Sequence, residues 1–560
     1  MTYLPPPPPP VPPGAGGPER SPRPRWVVPV VVVLLLALGV GGGASAALLV
    51  GDDDPAPAGA SGPDAGPTGP GSDGSDPAEG TDPAEPAPGA GVVPAGLEVF
   101  YTQQLDWQPC PSGDGNDCAV LTVPVDYDEP GGETVGIALE RARATDPAQR
   151  VGSLIVNPGG PGAGGTSMAE DAEFYFTEAL RARMDIIGFD PRGTGDSDPV
   201  DCISDEQLDQ FVAADPTPDD AAAAQQLATG QEDFFAGCVA NSDAVVGHVS
   251  TVEVARDMDV LRSVLGEEKM LYLGFSYGTT LGSTYAELFP ANVGRVVLDG
   301  ATDPTLGPIE NSLSQAAGFQ TALESYVGAC VDAGDCFLGD TVEEGLTTIE
   351  DLIARIDDEP LPTSSGRELT IGNAFYGIVT PLYAQENWPF LDQALQEALD
   401  GQGDTLLFLS DTYGSRDPAG GYTDNSIEAN LSINCLDDPT AFTPEEVPAR
   451  LPEFEKASRT FGEVFAWGLM GCLGLQVESE FPAPTIRAEG AAPIVVIGTT
   501  RDPATPYQEA VALAEQLESG VLVSRDGDGH TGYNQGNACV DDAVEGYLLD
   551  GVVPDDGLEC

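Results

Sequence analysis

Histidine is almost missing from these 560 residues: only His248 and His530 occur. That scarcity argues against a histidine-based metal centre, and no cysteine cluster has zinc spacing, so neither a metal nor another cofactor is expected. Any chemistry that needs an imidazole base must use one of the two. Basic residues are scarce too, 22 Lys and Arg against 91 Asp and Glu, for a formal net charge of −69. Such a balance cannot neutralise phosphates, which excludes nucleic acid as a partner. It favours solubility, suits a high-salt setting that screens self-repulsion, and would draw a cationic amino terminus.

No cysteine precedes Cys110 to accept a lipid, so a lipoprotein is not expected. All ten cysteines lie beyond the apolar run Val27 to Val50, an even number suited to a disulfide-forming, exported compartment. Cys110/Cys118 and Cys330/Cys336 are close pairs that invite local bridges; Cys202/Cys238, Cys435/Cys472 and Cys539/Cys560 could complete a set of five, with the connectivity left open.

Charge is absent from Val27 to Val50, a run long enough to span a bilayer. Arg20, Arg23 and Arg25 before it and Asp52, Asp53 and Asp54 after it predict an inside amino terminus and an extracytoplasmic remainder. Ala44-Ser45-Ala46 resembles a signal-peptidase site, so residues 26–50 are either a retained anchor, our preferred reading, or a signal cleaved near Ala46. Residues 1–25 form a Pro-rich tail, stiff over Pro5 to Pro10. Between Gly51 and Gly91 there is no aromatic or large aliphatic residue, so residues 51–96 read as an extended linker without a core.

What is present begins with Gly274-Phe275-Ser276-Tyr277-Gly278, a G-x-S-x-G pattern. The apolar Met270–Leu273 before it reads as a buried strand, and Thr279 to Phe289 has helical spacing up to Pro290. Strand, sharp turn and helix would lift the Ser276 hydroxyl above the sheet edge as a nucleophile. Of the two histidines, His530 has the right setting, the turn-rich Asp526–Gly532 after the apolar Val521-Leu522-Val523. A further buried strand, Pro493–Gly498, runs into Asp502. The order Ser276, Asp502, His530 matches that of α/β-hydrolases. Thr505-Pro506-Tyr507-Gln508 reads as a capping box with proline at the first helical position. An oxyanion hole would take one N–H from Tyr277 and one from Gly160, in the glycine-rich loop after Leu154-Ile155-Val156, where side chains would block approach to substrate.

Three motifs in order make this pattern more specific. Asn157-Pro158-Gly159-Gly160-Pro161-Gly162 resembles the glycine-proline motif of the proline iminopeptidase and tripeptidyl aminopeptidase family. Ile187–Ser197 resembles that family's next strand and loop, and the end of the chain from about Pro493 is similar to secreted bacterial tripeptidyl aminopeptidases. The resemblance covers the chain from about Leu97. It implies an α/β-hydrolase fold, a mostly parallel sheet with helices on both faces: residues 97–307 supply the first part of the core, 308–484 a largely helical cap and 485–560 the rest. It implies a serine exopeptidase acting on peptide or protein amino termini, with an unidentified acidic side chain in the cap binding the substrate ammonium group. The spacing of residues alone says only serine hydrolase. A carboxylesterase or lipase with the same triad is the alternative reading, and a catalytically silent surface module a third.

Other residues read more plainly. Ser250-Thr251-Val252-Glu253 is a capping box for a helix reaching Leu265, which leaves His248 on a surface or pocket wall. Asp190 and Arg192 pin a loop, Ser197 is a cap, and Trp388 and Trp467 are core or cap-packing residues, with lining of the substrate pocket as the alternative for either.

Overall fold

Alternate side chains of the central strands feed two separate apolar clusters, which is why these segments are apolar at every position. Ile155, Tyr272, Val296 and Val496 enter one cluster; Leu154, Leu273, Val297 and Val495 enter the other. The computed structural model describes residues 93–113, 115–477 and 485–560. The expected membrane-spanning segment, 26–50, and the linker up to residue 92 lie outside the described residues. Among the described residues no helix is long and apolar enough to cross a membrane.

The strands are β1 (Gln108–Pro109), β2 (Asp117–Pro124), β3 (Thr134–Ala142), β4 (Gly152–Asn157), β5 (Met184–Phe189), β6 (Met270–Phe275), β7 (Val293–Asp299), β8 (Leu361–Pro362), β9 (Glu368–Leu369), β10 (Ile494–Arg501), β11 (Gly520–Asp528) and β12 (Leu558–Glu559). All but the small β8–β9 pair form one sheet in the order β1-β2-β3-β5-β4-β6-β7-β10-β11-β12. Pairing is antiparallel from β1 through β2 and β3 to β5, and parallel from β5 onward. This is the α/β-hydrolase arrangement, whose parallel strands deliver their following loops to one edge.

The helices that matter for the site are α1 (Thr251–Val264), α2 (Tyr277–Leu288), α3 (Pro308–Ala333), α4 (Val342–Asp358), α5 (Ile371–Val379), α6 (Trp388–Leu399), α7 (Asp404–Tyr413), α8 (Ser426–Asp437), α9 (Tyr507–Gln516) and α10 (Ala538–Asp550). The expected capping box opens α1: Ser250 Oγ accepts from Glu253 N and the Glu253 side chain accepts from Ser250 N. Helices α3 to α8 lie between β7 and β10; α3 to α7 hold an apolar cluster of their own, including Leu323, Ile349, Trp388, Leu391 and Leu406, whereas Ala429, Ile433 and Leu436 of α8 join the main core. Trp467 packs in a smaller cluster with Phe454 and Met470.

Five disulfides, Cys110–Cys118, Cys202–Cys238, Cys330–Cys336, Cys435–Cys472 and Cys539–Cys560, use all the cysteines. Such usage suits a chain that folds in an oxidising, extracytoplasmic compartment. Arg192 is buried and pins its loop as expected. Its guanidinium pairs with both oxygens of Asp257 at 2.7 Å and donates to the carbonyls of Pro124, Val125 and His248. Ser197 Oγ donates to Asp190 O and accepts from Ala138 N, a loop pin rather than a helix cap.

Two further local expectations change. Asp526–Asp528 continue β11 instead of forming the turn; the strand bulges opposite Arg501, whose guanidinium pairs with Asp526 and Asp528. Thr505 does not cap α9. Pro506 takes the cap position without a side-chain hydrogen bond, and Thr505 turns towards His530 instead.

Candidate active site

Ser276 follows the last residue of β6 and directly precedes α2, with φ 56° and ψ −125°. A non-glycine residue in that region costs about 1–3 kcal/mol and persists only where its surroundings hold it. Here Ser276 N donates to Asp299 O at 2.8 Å, and Ser276 O accepts from Thr279 N at 2.8 Å and from Thr279 Oγ1 at 2.6 Å. The flanking glycines serve close packing: a Cβ on Gly274 would lie 2.4 Å from Gly278 O, and one on Gly278 2.9 Å from Asn157 Oδ1.

Asp502 and His530 meet at the carboxyl ends of β10 and β11. His530 Nδ1 lies 2.8 Å from Asp502 Oδ1 and 2.9 Å from Oδ2. Asp502 is itself anchored, accepting from Ala504 N, Thr505 N and Thr531 N at 3.0, 2.9 and 3.1 Å. Burial works against a charged imidazole, but the charge and hydrogen bond of Asp502, helped by Asp299, hold His530 above the usual imidazole range. Its Nε2 is buried and makes no hydrogen bond, with Ser276 Oγ or any other group. The two loops nevertheless abut. Gly300, the residue after the Ser276 N acceptor, packs so close that a Cβ there would meet His530 Cε1 at 3.1 Å.

Tyr277 opens α2, and its hydroxyl hydrogen-bonds Thr251 Oγ1, which donates to Asp437 at the end of α8. Burial pushes the Asp437 carboxyl up to about 6. Gly159 meets the elbow directly: at φ 101°, a Cβ there would sit 2.6 Å from Phe275 O and 2.8 Å from Ser276 Cβ. Gly160 beside it is exposed. The other glycines of this loop do not face substrate, contrary to expectation. Gly162 packs on Ser426 O and Asn430 N of α8, Gly164 on the Asp190 carboxylate, and Gly165 on Phe189 O. Asp190 draws the loop in by accepting from Thr166 N and Asp196 N.

The helical insertion supplies groups with no local sequence signal. Tyr383, beyond α5, accepts His530 N through its carbonyl at 2.7 Å and sets its ring edge-to-face on the imidazole, with centroids 5.5 Å apart. Asp299 and Thr505 were also missed. Asp299, a carboxylate at the end of an apolar strand, carries the same signal that singled out Asp502. His248 lies away from this cluster, its Nδ1 2.9 Å from Glu253 Oε1. One grouping among the described residues has the compactness of a metal site, Cys110, Cys118 and Glu140, but its two sulfurs are joined to each other.

Comparison with known proteins adds a pattern to this geometry. Residues 457–560 match the family model described as TAP-like protein. The chain is 36% identical over 481 residues to the serine protease Hip1 of Mycobacterium tuberculosis, covering 82% of this chain and 91% of that protein. It is 38% identical over 496 residues to a protein of the same organism named carboxylesterase B, covering 84% and 92%. It is 30% identical over 474 residues to a tripeptidyl aminopeptidase of Streptomyces coelicolor, covering 80% and 84%.

Proposed function

Because the chain belongs to the TAP-like family of α/β-hydrolases and is a serine hydrolase, we infer that it is an exported exopeptidase releasing short peptides from free amino termini. The observation that carries the chemistry is the His530–Asp502 pair beside the strained Ser276, with His530 Nε2 left without a partner. His530 takes the proton of Ser276 as Oγ attacks the scissile carbonyl, while Asp502 holds the imidazole tautomer and stabilises its charged form. The N–H groups of Tyr277 and Gly160 bind the oxyanion. His530 then protonates the leaving amine, and water releases the acyl-enzyme by the same route. The insertion over 308–484 acts as a cap that contributes a carboxylate for the substrate ammonium group. The segment 26–50 either holds the enzyme at the membrane or is removed near Ala46.

A carboxylesterase is the second reading, supported by the relative of that name at 38% identity. The chain from Val92 onward, produced under oxidising conditions beside Ser276→Ala, separates the two. Chromogenic tripeptide amides with a free amino terminus are compared with their N-acetylated forms and with a simple ester. Serine-dependent cleavage confined to the free-amine peptides is expected. Ester cleavage without peptide cleavage overturns the peptidase reading, and turnover by Ser276→Ala overturns the nucleophile.

A further inference from the structure

Four consecutive main-chain N–H groups at the histidine loop are each captured by a different oxygen. His530 N donates to Tyr383 O at 2.7 Å and Thr531 N to Asp502 Oδ2 at 3.1 Å. Gly532 N donates to Asp299 Oδ1 and Tyr533 N to Asp299 Oδ2, both at 2.8 Å. Asp299 is fully buried and ends β7 between Phe275 of β6 and Ile497 of β10. Its own carbonyl is the acceptor for Ser276 N. One residue therefore grips the serine turn with its main chain and the segment after His530 with its side chain.

We propose that Asp299 is a positioning residue: it sets the histidine loop against the nucleophile turn and adds a second negative charge behind the imidazole. The proposal rests on the reading of His530 as the general base. Thr531 explains why a grip is needed, since its φ of 70° is a conformation a β-branched residue does not keep unaided. A carboxylate is required because each of its oxygens takes one N–H. An amide at this position would offer one oxygen and aim an NH2 group at the other donor.

The charge has a direction. Burial pushes the Asp299 carboxyl up to about 6, against the two N–H bonds and the attraction of His530, with Asp502 adding to the rise. The facing ionisable groups are His530 and Asp502 from their loops and the phenol of Tyr383 from the insertion. Asp502 in turn helps raise Glu509 of α9, Arg525 of β11 donates to Thr531 O, and Asp541 of α10 holds Asn534 N. Among them, Asp502 and Asp299 are the two that raise His530.

The test uses the whole chain and Asp299→Asn, labelled with 15N in the histidine rings. With only His248 and His530 present, two ring systems report, and His248→Gln assigns them. In Asp299→Asn, kcat on whichever chromogenic amide or ester the wild type cleaves should fall on the order of 10²-fold, with KM within about twofold. The acid limb should move to lower pH, and the His530 ring should bind its proton at least about threefold more weakly. A loss of kcat with an unmoved His530 titration overturns the proposal, as does unchanged kcat. If Asp299→Asn does not fold, the wild type decides: the Gly532 and Tyr533 amides and the His530 ring should share one inflection, and a ring blind to that step overturns it. The ring titration needs no substrate, so it stands or falls separately from the exopeptidase reading.

Discussion

The role proposed for Asp502 is to fix the tautomer of His530. Asp502→Asn keeps the shape but presents an NH2 group where Nδ1–H must donate, so kcat should fall about 10⁴-fold while the secondary structure is unchanged. Circular dichroism and initial rates measured side by side check this; a drop under tenfold would contradict the role. Gly159 makes a steric prediction of the same rank. Alanine there would bring a methyl group 2.8 Å from Ser276 Cβ in a backbone conformation that alanine resists. Activity should fall by about 10² or more through displacement of the elbow, with far less effect from alanine at exposed Gly468, where no atom lies within 4 Å. Both sites were recognisable one residue at a time: Asp502 from its strand end, and the glycine loop from its composition. The separate jobs of Gly162, Gly164 and Gly165 were not recognisable, because their neighbours lie on α8 and at the end of β5.

At the scale of elements, the loop after β5 is held to β2 and α1 by Arg192. Both Arg192 and Asp257 are almost wholly buried, and Tyr127 adds a 2.7 Å hydrogen bond to the same carboxylate. Arg192→Met would leave Asp257 charged and unpaired, at a cost of about 3–5 kcal/mol. The urea midpoint should drop accordingly, whereas Arg192→Met with Asp257→Leu should recover only part of the loss, because the carbonyls of Pro124, Val125 and His248 and the Tyr127 hydroxyl still lack their partner. A single variant as stable as the wild type would show that the pair does not hold these elements together. The strands and the α1 capping box were legible because periodicity and capping are local. The β11 bulge and the turning of Thr505 away from α9 were not, since ion pairs with Arg501 and the demands of Asp502 outweigh local turn chemistry.

For the whole molecule, several buried groups titrate in the same direction. Burial pushes Asp299 and Asp437 up to about 6 and Glu509 up to about 7. Each carboxyl holds its proton more tightly folded than unfolded, so its contribution is complete below the ordinary carboxylate range and is lost as pH rises through 6 to 7. His248, raised by its bond to Glu253, and His530, raised by Asp502 against its burial, likewise contribute below the ordinary imidazole value and lose that contribution above it. Asp117 and Asp209 oppose this. Burial is outweighed there by arginine partners, and their lowered values give stability that is lost only as pH falls through the carboxylate range. Thermal stability should therefore peak at about pH 5 and decline towards pH 8. Added NaCl at pH 7.5 should raise Tm by screening a formal charge of −69. A Tm that climbs from pH 5 to pH 8 would refute the balance of these groups.

The sequence by itself determined the strand–turn–helix around Ser276, the order of serine, acid and histidine, and the oxidising setting implied by ten late cysteines. Each of these depends on periodicity, on turn chemistry or on a count, which the chain carries locally. Tertiary structure alone decided which N–H meets which oxygen: Tyr383 over His530, Asp437 behind Tyr277, and Asp299 between the serine turn and the histidine loop. Those contacts join residues far apart in the chain, and only the parallel packing of β6, β7 and β10, with the insertion folded above them, brings their atoms within hydrogen-bonding distance.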